Sequence, residues 1–319
     1  MSVRWTRPAG LALGYLADQL FGDPRRGHPV AGFGQLAARL EEQLHADSRA
    51  RGVLFTAALV GAATGMGVLV ESATARRPVL HLAATAAGTW VVLGATSLGR
   101  EAAAVHDLLA ADDLPGARQR LTHLVGRDTT SLSEAEIARA VIESVAENTS
   151  DAVTAPLVLG AVFGLPGLLG HRAANTLDAM VGHRTSRHER FGWASARLDD
   201  LLNLPGSRFG AALTVVLAPL VSGSPAAAAR AWSRDAPGHP SPNAGPIEAA
   251  FAGALDVQLG GVNTYGDRVE DRHRLGSGPP PRRGDIDRAR QLARHVSTGA
   301  AVTAAAVSWL RPRPGPATS

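Results

Sequence analysis

Two residue types are missing from this 319-residue chain, and each absence removes a branch of chemistry. There is no cysteine. A disulfide framework, a thiolate metal site and a cysteine nucleophile are therefore excluded. There is no lysine either, because all 32 Lys+Arg residues are arginine. That excludes a Schiff-base lysine, and with it a pyridoxal-phosphate enzyme. It also excludes the lysine of an ordinary P-loop nucleotide site. Aromatics are scarce at 4%, and charged residues, at 19%, fall below the roughly 25% of an average soluble domain. The net charge is only +4, and no basic stripe is interleaved with aromatics, so nucleic acid is not an expected partner. No Ser–His–Asp nucleophile elbow, HExxH or GxGxxG-after-strand pattern appears. Strand signals are scarce throughout.

What the chain does have is long uncharged runs. A helix that spans a bilayer needs about 20 apolar residues. Residues 52–70, GVLFTAALVGAATGMGVLV, and 78–98, PVLHLAATAAGTWVVLGATSL, meet that length with arginines at their flanks. They predict a helical hairpin with a short turn. Further candidates are 152–169, interrupted by Pro156, Gly164 and Pro166, then 209–221, 296–310 and a short N-terminal run, 9–21, carrying Asp18. All are rich in Ala and Gly, which suits close helix packing in a membrane. A soluble all-α protein with buried Ala-rich helices is the competing reading. The N-terminal run lacks a small-residue cleavage site, so no signal peptide is expected. Arginine-rich stretches at 22–51 and 99–151 suit an inside–hairpin–inside arrangement. A re-entrant segment broken at Pro156 and Pro166 would keep the arginines of 172–208 on the same side.

The fold class predicted is all-α: a polytopic helical membrane protein with broken or re-entrant helices and cytoplasmic helical loops. Residues 1–310 read as a single helical membrane domain and 311–319 as a disordered tail. Ser133, with Glu136 three residues on, predicts a capping box. Asn243 precedes a helix with Pro246 in its first turn, and 276–284, GSGPPPRRG, reads as a flexible loop.

Chemistry concentrates between Glu143 and Asn203. Glu143, Glu147 and Asp151 fall at i, i+4 and i+8, one face of a helix. Oxygen ligands at that spacing suit Mg²⁺ bridged to substrate phosphate. A solvated helix face is the alternative. Asn148 lies beside them. Asn175 and Asp178 follow in HRAANTLDAMVGHR, flanked by Arg172 and Arg184, whose forks suit phosphate or carboxylate. The alternative is an Asn–Asp packing pair. Asp199, Asp200 and Asn203 lie in RLDDLLNLPG, where a helix terminus before Pro205 is the plainer reading. Ser241, Pro242, Asn243, Gly245 and Glu248 form a last motif, a small-residue turn opening a helix, whose backbone N–H groups can meet an anion.

The segments GDP…HPV at 22–30, ESVAENTSDAVTAPL at 143–157, NTLDAMVGHR at 175–184, FGWASARLDDLLN at 191–203 and SPNAGPIEAAFAGAL at 241–255 resemble, in order, the adenosylcobinamide-phosphate synthase family of cobalamin biosynthesis (CobD/CbiB). The resemblance covers about residues 8 to 310. It implies a multi-pass protein of the cytoplasmic membrane. It also implies an acid–amine ligase that joins (R)-1-aminopropan-2-ol, or its O-phosphate, to the f propionate of adenosylcobyric acid. ATP as co-substrate and Mg²⁺ are the implied means of activating the carboxylate, through an acyl phosphate. Under that resemblance Glu147, Asp178, Asp199 and Asp200 are the catalytic candidates. Asn148, Arg172, Asn175, Arg184, Asn203, Ser241 and Asn243 are the substrate- and phosphate-binding candidates. Glu143, Glu147, Asp151 and Asp178 are the metal candidates, so the division between base and metal ligand stays open. Implied partners are the two substrates, the lipid bilayer, and a second copy or other corrin-pathway enzymes. Two rival readings are a transporter with an intramembrane cation site at the broken helix, and a non-catalytic scaffold for corrin enzymes.

Overall fold

A computed structural model describes residues 5–23, 27–183, 185–265 and 268–310. Along the chain run α1 (Thr6–Phe21), α2 (Pro29–Leu44), α3 (Arg49–Thr74), α4 (Pro78–Val92), α5 (Ala95–Ala110), α6 (Leu114–Leu121) and α7 (Glu134–Thr149). Then come α8 (Ala155–Phe163), α9 (Leu165–Leu177), α10 (Trp193–Leu217), α11 (Pro225–Asp235), α12 (Ala244–Leu255) and, after a hairpin of β1 (Leu259–Tyr265) and β2 (Arg268–Leu275), α13 (Arg283–Leu310). The fold is all-α and of the polytopic membrane type. Among the described residues, three stretches are long and apolar enough to cross a membrane: Arg49–Thr74, Pro78–Ala110 and Trp193–Val221. The second is interrupted at Leu93 and Gly94, where α4 gives way to α5. The 311–319 tail lies outside the described residues.

The described residues divide into two compact units where the sequence reads as one domain. Unit 1 comprises 1–93, 156–196 and 301–319; unit 2 comprises 94–155 and 197–300. In unit 1, α1 lies against α4, with Gly10 and Gly14 facing Thr85 and Thr89. A small core gathers Ala37, Phe55, Leu59, Leu177, Val181 and Phe191. The expected interruption of 152–169 occurs at Gly164, whose φ of +73° only glycine adopts at little cost. The Leu165 N–H that opens α9 donates to the Glu71 carboxylate at 3.0 Å, which Arg7 also meets. A side chain at 164 would collide with that carboxylate.

Unit 2 is built around α7. The capping box forms as expected: the Ser133 N–H donates to Glu136 Oε2 at 2.8 Å, and Ser133 Oγ accepts the Glu136 N–H at 3.4 Å. The helix then buries Ile137, Val141, Ile142 and Val145 in a core shared with α5, α12 and the start of α13. Strands are scarce, as expected, and form one two-stranded hairpin. A bulge at Leu259–Gly261, with Gly260 at φ +76°, bends β1 onto α7. A correction concerns α10, which continues through Pro205 instead of ending before it.

Candidate functional site

The first acidic motif splits into different roles. Glu143 is buried and accepts from Arg127 Nη2 at 2.6 Å and from the Gly260 N–H at 2.8 Å. Arg127 and Arg139 both donate to Asn263 Oδ1, at 2.7 and 3.1 Å. Arg139 also reaches the carbonyls of Gly260 and Val262. Glu143 therefore fastens the hairpin to α7, and its lone pairs are engaged. Glu147, Asn148 and Asp151 are half-buried. Asn148 Nδ2 turns back to Ser144 O at 2.9 Å. Past Thr149 the helix opens into a π turn, Ser150–Thr154, which carries Asp151. Such turns are rare and often mark functional sites.

On α10, Asp199 and Asn203 are buried, and Asp200 lies 3.6 Å from the exposed Arg197. Asn243 Nδ2 donates to Asp200 O at 2.8 Å. Ser241 Oγ accepts the N–H groups of Asn243 and Ala244, at 3.3 and 3.1 Å. These bonds give Ser241 and Asn243 positioning work at the start of α12.

In unit 1, α9 carries Arg172 and Asn175, both half-buried, and passes into a second π turn, Asp178–Gly182. A Cβ at Gly182 would sit 1.8 Å from Asp178 Oδ1, so the glycine lets that carboxylate fold against the backbone. Arg184 lies outside the described residues. Both π turns thus fall on the two motifs that the sequence singles out, one in each unit.

Two groups with no assigned task in the sequence reading become visible in unit 2. Glu248 is buried on α12, a helix buried along its whole length. Burial, and then the nearby Glu143 and Glu147 charges, push its carboxyl well above the usual carboxylate range. His239 Nε2 stands 3.8 Å from Glu248 Oε2, and burial lowers its pKa. Burial thus disfavours the charged form of both groups. A lone acid inside PIEAAFAGAL was the available signal.

The donor set bears on the Mg²⁺ expectation. Among the described residues, no group of three or more His, Asp or Glu is placed to hold a metal. Mg²⁺ is commonly held by one or two carboxylates together with substrate phosphates. The acids therefore fit a metal carried in with phosphate, and not a self-contained protein cage.

The chain matches the family model described as CobD/Cbib protein over residues 11–293. It belongs to the CobD/Cbib family. It is 50% identical over 307 residues to the cobalamin biosynthesis protein CobD of Mycobacterium tuberculosis, covering 96% of this chain and 97% of that protein. Identity to the protein of the same name from Mycobacterium bovis is 49% over 310 residues, covering 97% and 98%. For Rhodobacter capsulatus it is 45% over 294 residues, 91% of each. No solved structure matches the chain. The family match spans every motif quoted above, in both units.

Proposed function

We propose that this protein acts in cobalamin biosynthesis as an amide-forming enzyme of the cytoplasmic membrane. It joins the f propionate of adenosylcobyric acid to (R)-1-aminopropan-2-ol or its O-phosphate. The observation that carries this reading is the family match across 11–293, with acids and arginines concentrated in its motifs. ATP with Mg²⁺, bound as co-substrate, supplies the activation that makes the carboxylate an acylating group. One or two of Glu147, Asp151, Asp199 and Asp200 would hold the metal. Arg172 and Arg184 are candidates for binding phosphate. As the amine nitrogen bonds to the carbonyl carbon of the activated propionate, the carbon–oxygen bond to its phosphate breaks, phosphate leaves, and the amine's proton passes to an ionised carboxylate. Asp178, Asp199, Asp200 and Glu147 are candidates for that base. The exposed apolar helices suit a multi-pass position in lipid, with a second copy or another corrin-pathway enzyme as further partners.

The test is direct. Purified protein in lipid nanodiscs is incubated with adenosylcobyric acid, aminopropanol or its O-phosphate, and Mg-ATP. Cobinamide product with matching nucleotide turnover is expected. Folded protein yielding neither would sink the reading.

A further inference from the structure

Arg208 is held differently from Arg127 and Arg288, two other arginines of unit 2. It lies on α10, eight residues after Asp200, inside a stretch long and apolar enough to cross a membrane. A charge in such a stretch is costly unless something meets it, and it marks a functional position by default. Arg127 meets Glu143, and Arg288 meets Asp285. The partners of Arg208 are all neutral. Its Nη1 donates to Ser207 Oγ at 2.9 Å, to Asn243 Oδ1 at 3.0 Å and to Leu204 O at 3.4 Å. Among the described residues it forms no ion pair, and its Nε and Nη2 donate no hydrogen bond. The side chain is half-buried.

Asn243 explains why the guanidinium stays where it is. As the residue before α12 it could cap that helix, yet its side chain makes no capping bond. It spans instead to α10: its Nδ2 donates to Asp200 O, and its Oδ1 accepts from Ser207 Oγ and Arg208 Nη1. A carboxamide tied at both ends orients the arginine without cancelling its charge. The opposite edge of the guanidinium keeps the two parallel N–H donors that match phosphate or carboxylate oxygens. The start of α12, beside Asn243, adds partial positive charge.

We infer that Arg208, positioned by Asn243 and Ser207, receives a phosphate group of a substrate through its Nε–Nη2 edge. The identity of that substrate rests on the amide-forming reading, in which two reactants carry phosphate: ATP and aminopropanol O-phosphate. The chemistry shared by both is a phosphate oxyanion pair.

Equilibrium binding of each ligand to the full chain in nanodiscs, with no turnover required, tests this. The variants are Arg208→Gln, Arg208→Lys and Asn243→Asp. The last keeps shape and guanidinium but sets a carboxylate against Nη1. Losing a bidentate charge-assisted contact should weaken binding about 10- to 100-fold in Arg208→Gln and Asn243→Asp, and less in Arg208→Lys. A loss confined to aminopropanol O-phosphate identifies the amine's phosphate; a loss confined to ATP identifies the nucleotide. Folding is checked by monodispersity and melting. Should Arg208→Gln fail to fold, Asn243→Asp and Arg208→Lys carry the test. Unchanged affinity for both ligands in folded variants overturns the inference, as does a wild type that binds neither. Arg208-dependent binding without any amide product would instead sink the amide-forming reading and leave the phosphate site standing.

Discussion

In unit 2 the large apolar side chains turn inward; in unit 1 many turn outward. Ile137, Ile142, Phe251 and Leu292 are fully buried, whereas Leu13, Leu20, Leu54 and Leu69 stand exposed. Among the described residues, the exposed large apolar residues of unit 2 are Leu201, Val216, Leu220 and Val262, and the first three lie in the membrane-length stretch Trp193–Val221. Apolar surface of that extent is not left to water. The charges divide as well. Unit 2 buries Glu143 with Arg127 inside a protein core. Unit 1 gathers Arg7, Glu71 and His81 where α1, α3 and α4 come together around the start of α9. The lesson is that one chain satisfies two solvents. Unit 2 hides apolar groups from water and uses ion pairs to fasten parts; unit 1 offers apolar groups to lipid and keeps its charges together.

The largest effect that can break this contrast is in unit 2. Glu143→Ala leaves Arg127 buried without its carboxylate and the Gly260 N–H without an acceptor. Removing one partner of a buried pair costs about 3–5 kcal/mol. Trp232 is the only tryptophan of unit 2, so its fluorescence during chemical denaturation reports this unit. A loss below about 1 kcal/mol would mean that Glu143 is not the fastening of the hairpin.

In unit 1 the matching test is Gly164→Ala. The backbone there, at φ +73° and ψ −146°, is a region essentially reserved to glycine and costs another residue about 1–3 kcal/mol, and the new Cβ also meets the Glu71 carboxylate. The Glu71 bond to Leu165 N–H should break with it. Destabilisation of about 2 kcal/mol or more is expected, read by Trp90 and without a shift in the Trp232 transition. Equal shifts at both tryptophans would show that the units melt as one.

A third test uses pH on unit 2. The folded-state pKa of Glu248 is raised, so its contribution to stability is complete below the ordinary carboxylate value and is lost as pH rises through the folded value. Within that window stability falls by about 1.4 kcal/mol per pH unit. His239, lowered by burial, acts oppositely: its contribution is present above the ordinary histidine value and lost as pH falls through the folded one. Glu248→Gln mimics the protonated acid. It should remove the alkaline slope and leave the acid limb from His239. A variant whose alkaline slope equals that of the wild type would refute the raised pKa of Glu248.

Local signals were legible in the sequence, and partners distant in the chain were not. The hairpin of α3 and α4, the Ser133 capping box and the interruption near Pro166 each depend on a few neighbouring residues, and each is found. The β-hairpin was missed because RVEDRHRL is short and charged; the Gly266–Asp267 pair between it and LGGVNTY was the usable clue. The role of Glu143 could not be read from spacing. Its partners, Arg127 and Gly260, lie 16 and 117 residues away in sequence. Helical periodicity put Glu143, Glu147 and Asp151 on one face but said nothing of what packs there. Arg208 was likewise hidden, because its meaning comes from Asn243, 35 residues on.

The smallest effect sharpens the comparison most. Leu69 on α3 is 63% exposed and Ile142 on α7 is 0% exposed, yet both are large aliphatic residues in helices. Ile142→Ala should cost about 2–5 kcal/mol, through lost burial and the cavity left behind. Leu69→Ala exchanges one lipid-facing apolar surface for a smaller one, and surface substitutions of that kind stay within about 0.5 kcal/mol. Denaturation of both variants in nanodiscs measures the difference. If Leu69→Ala costs as much as Ile142→Ala, then protein and not lipid covers that face of α3. The outward leucines of unit 1 would then be a buried interface, and the contrast between the units would become one between a core within a chain and a core between chains.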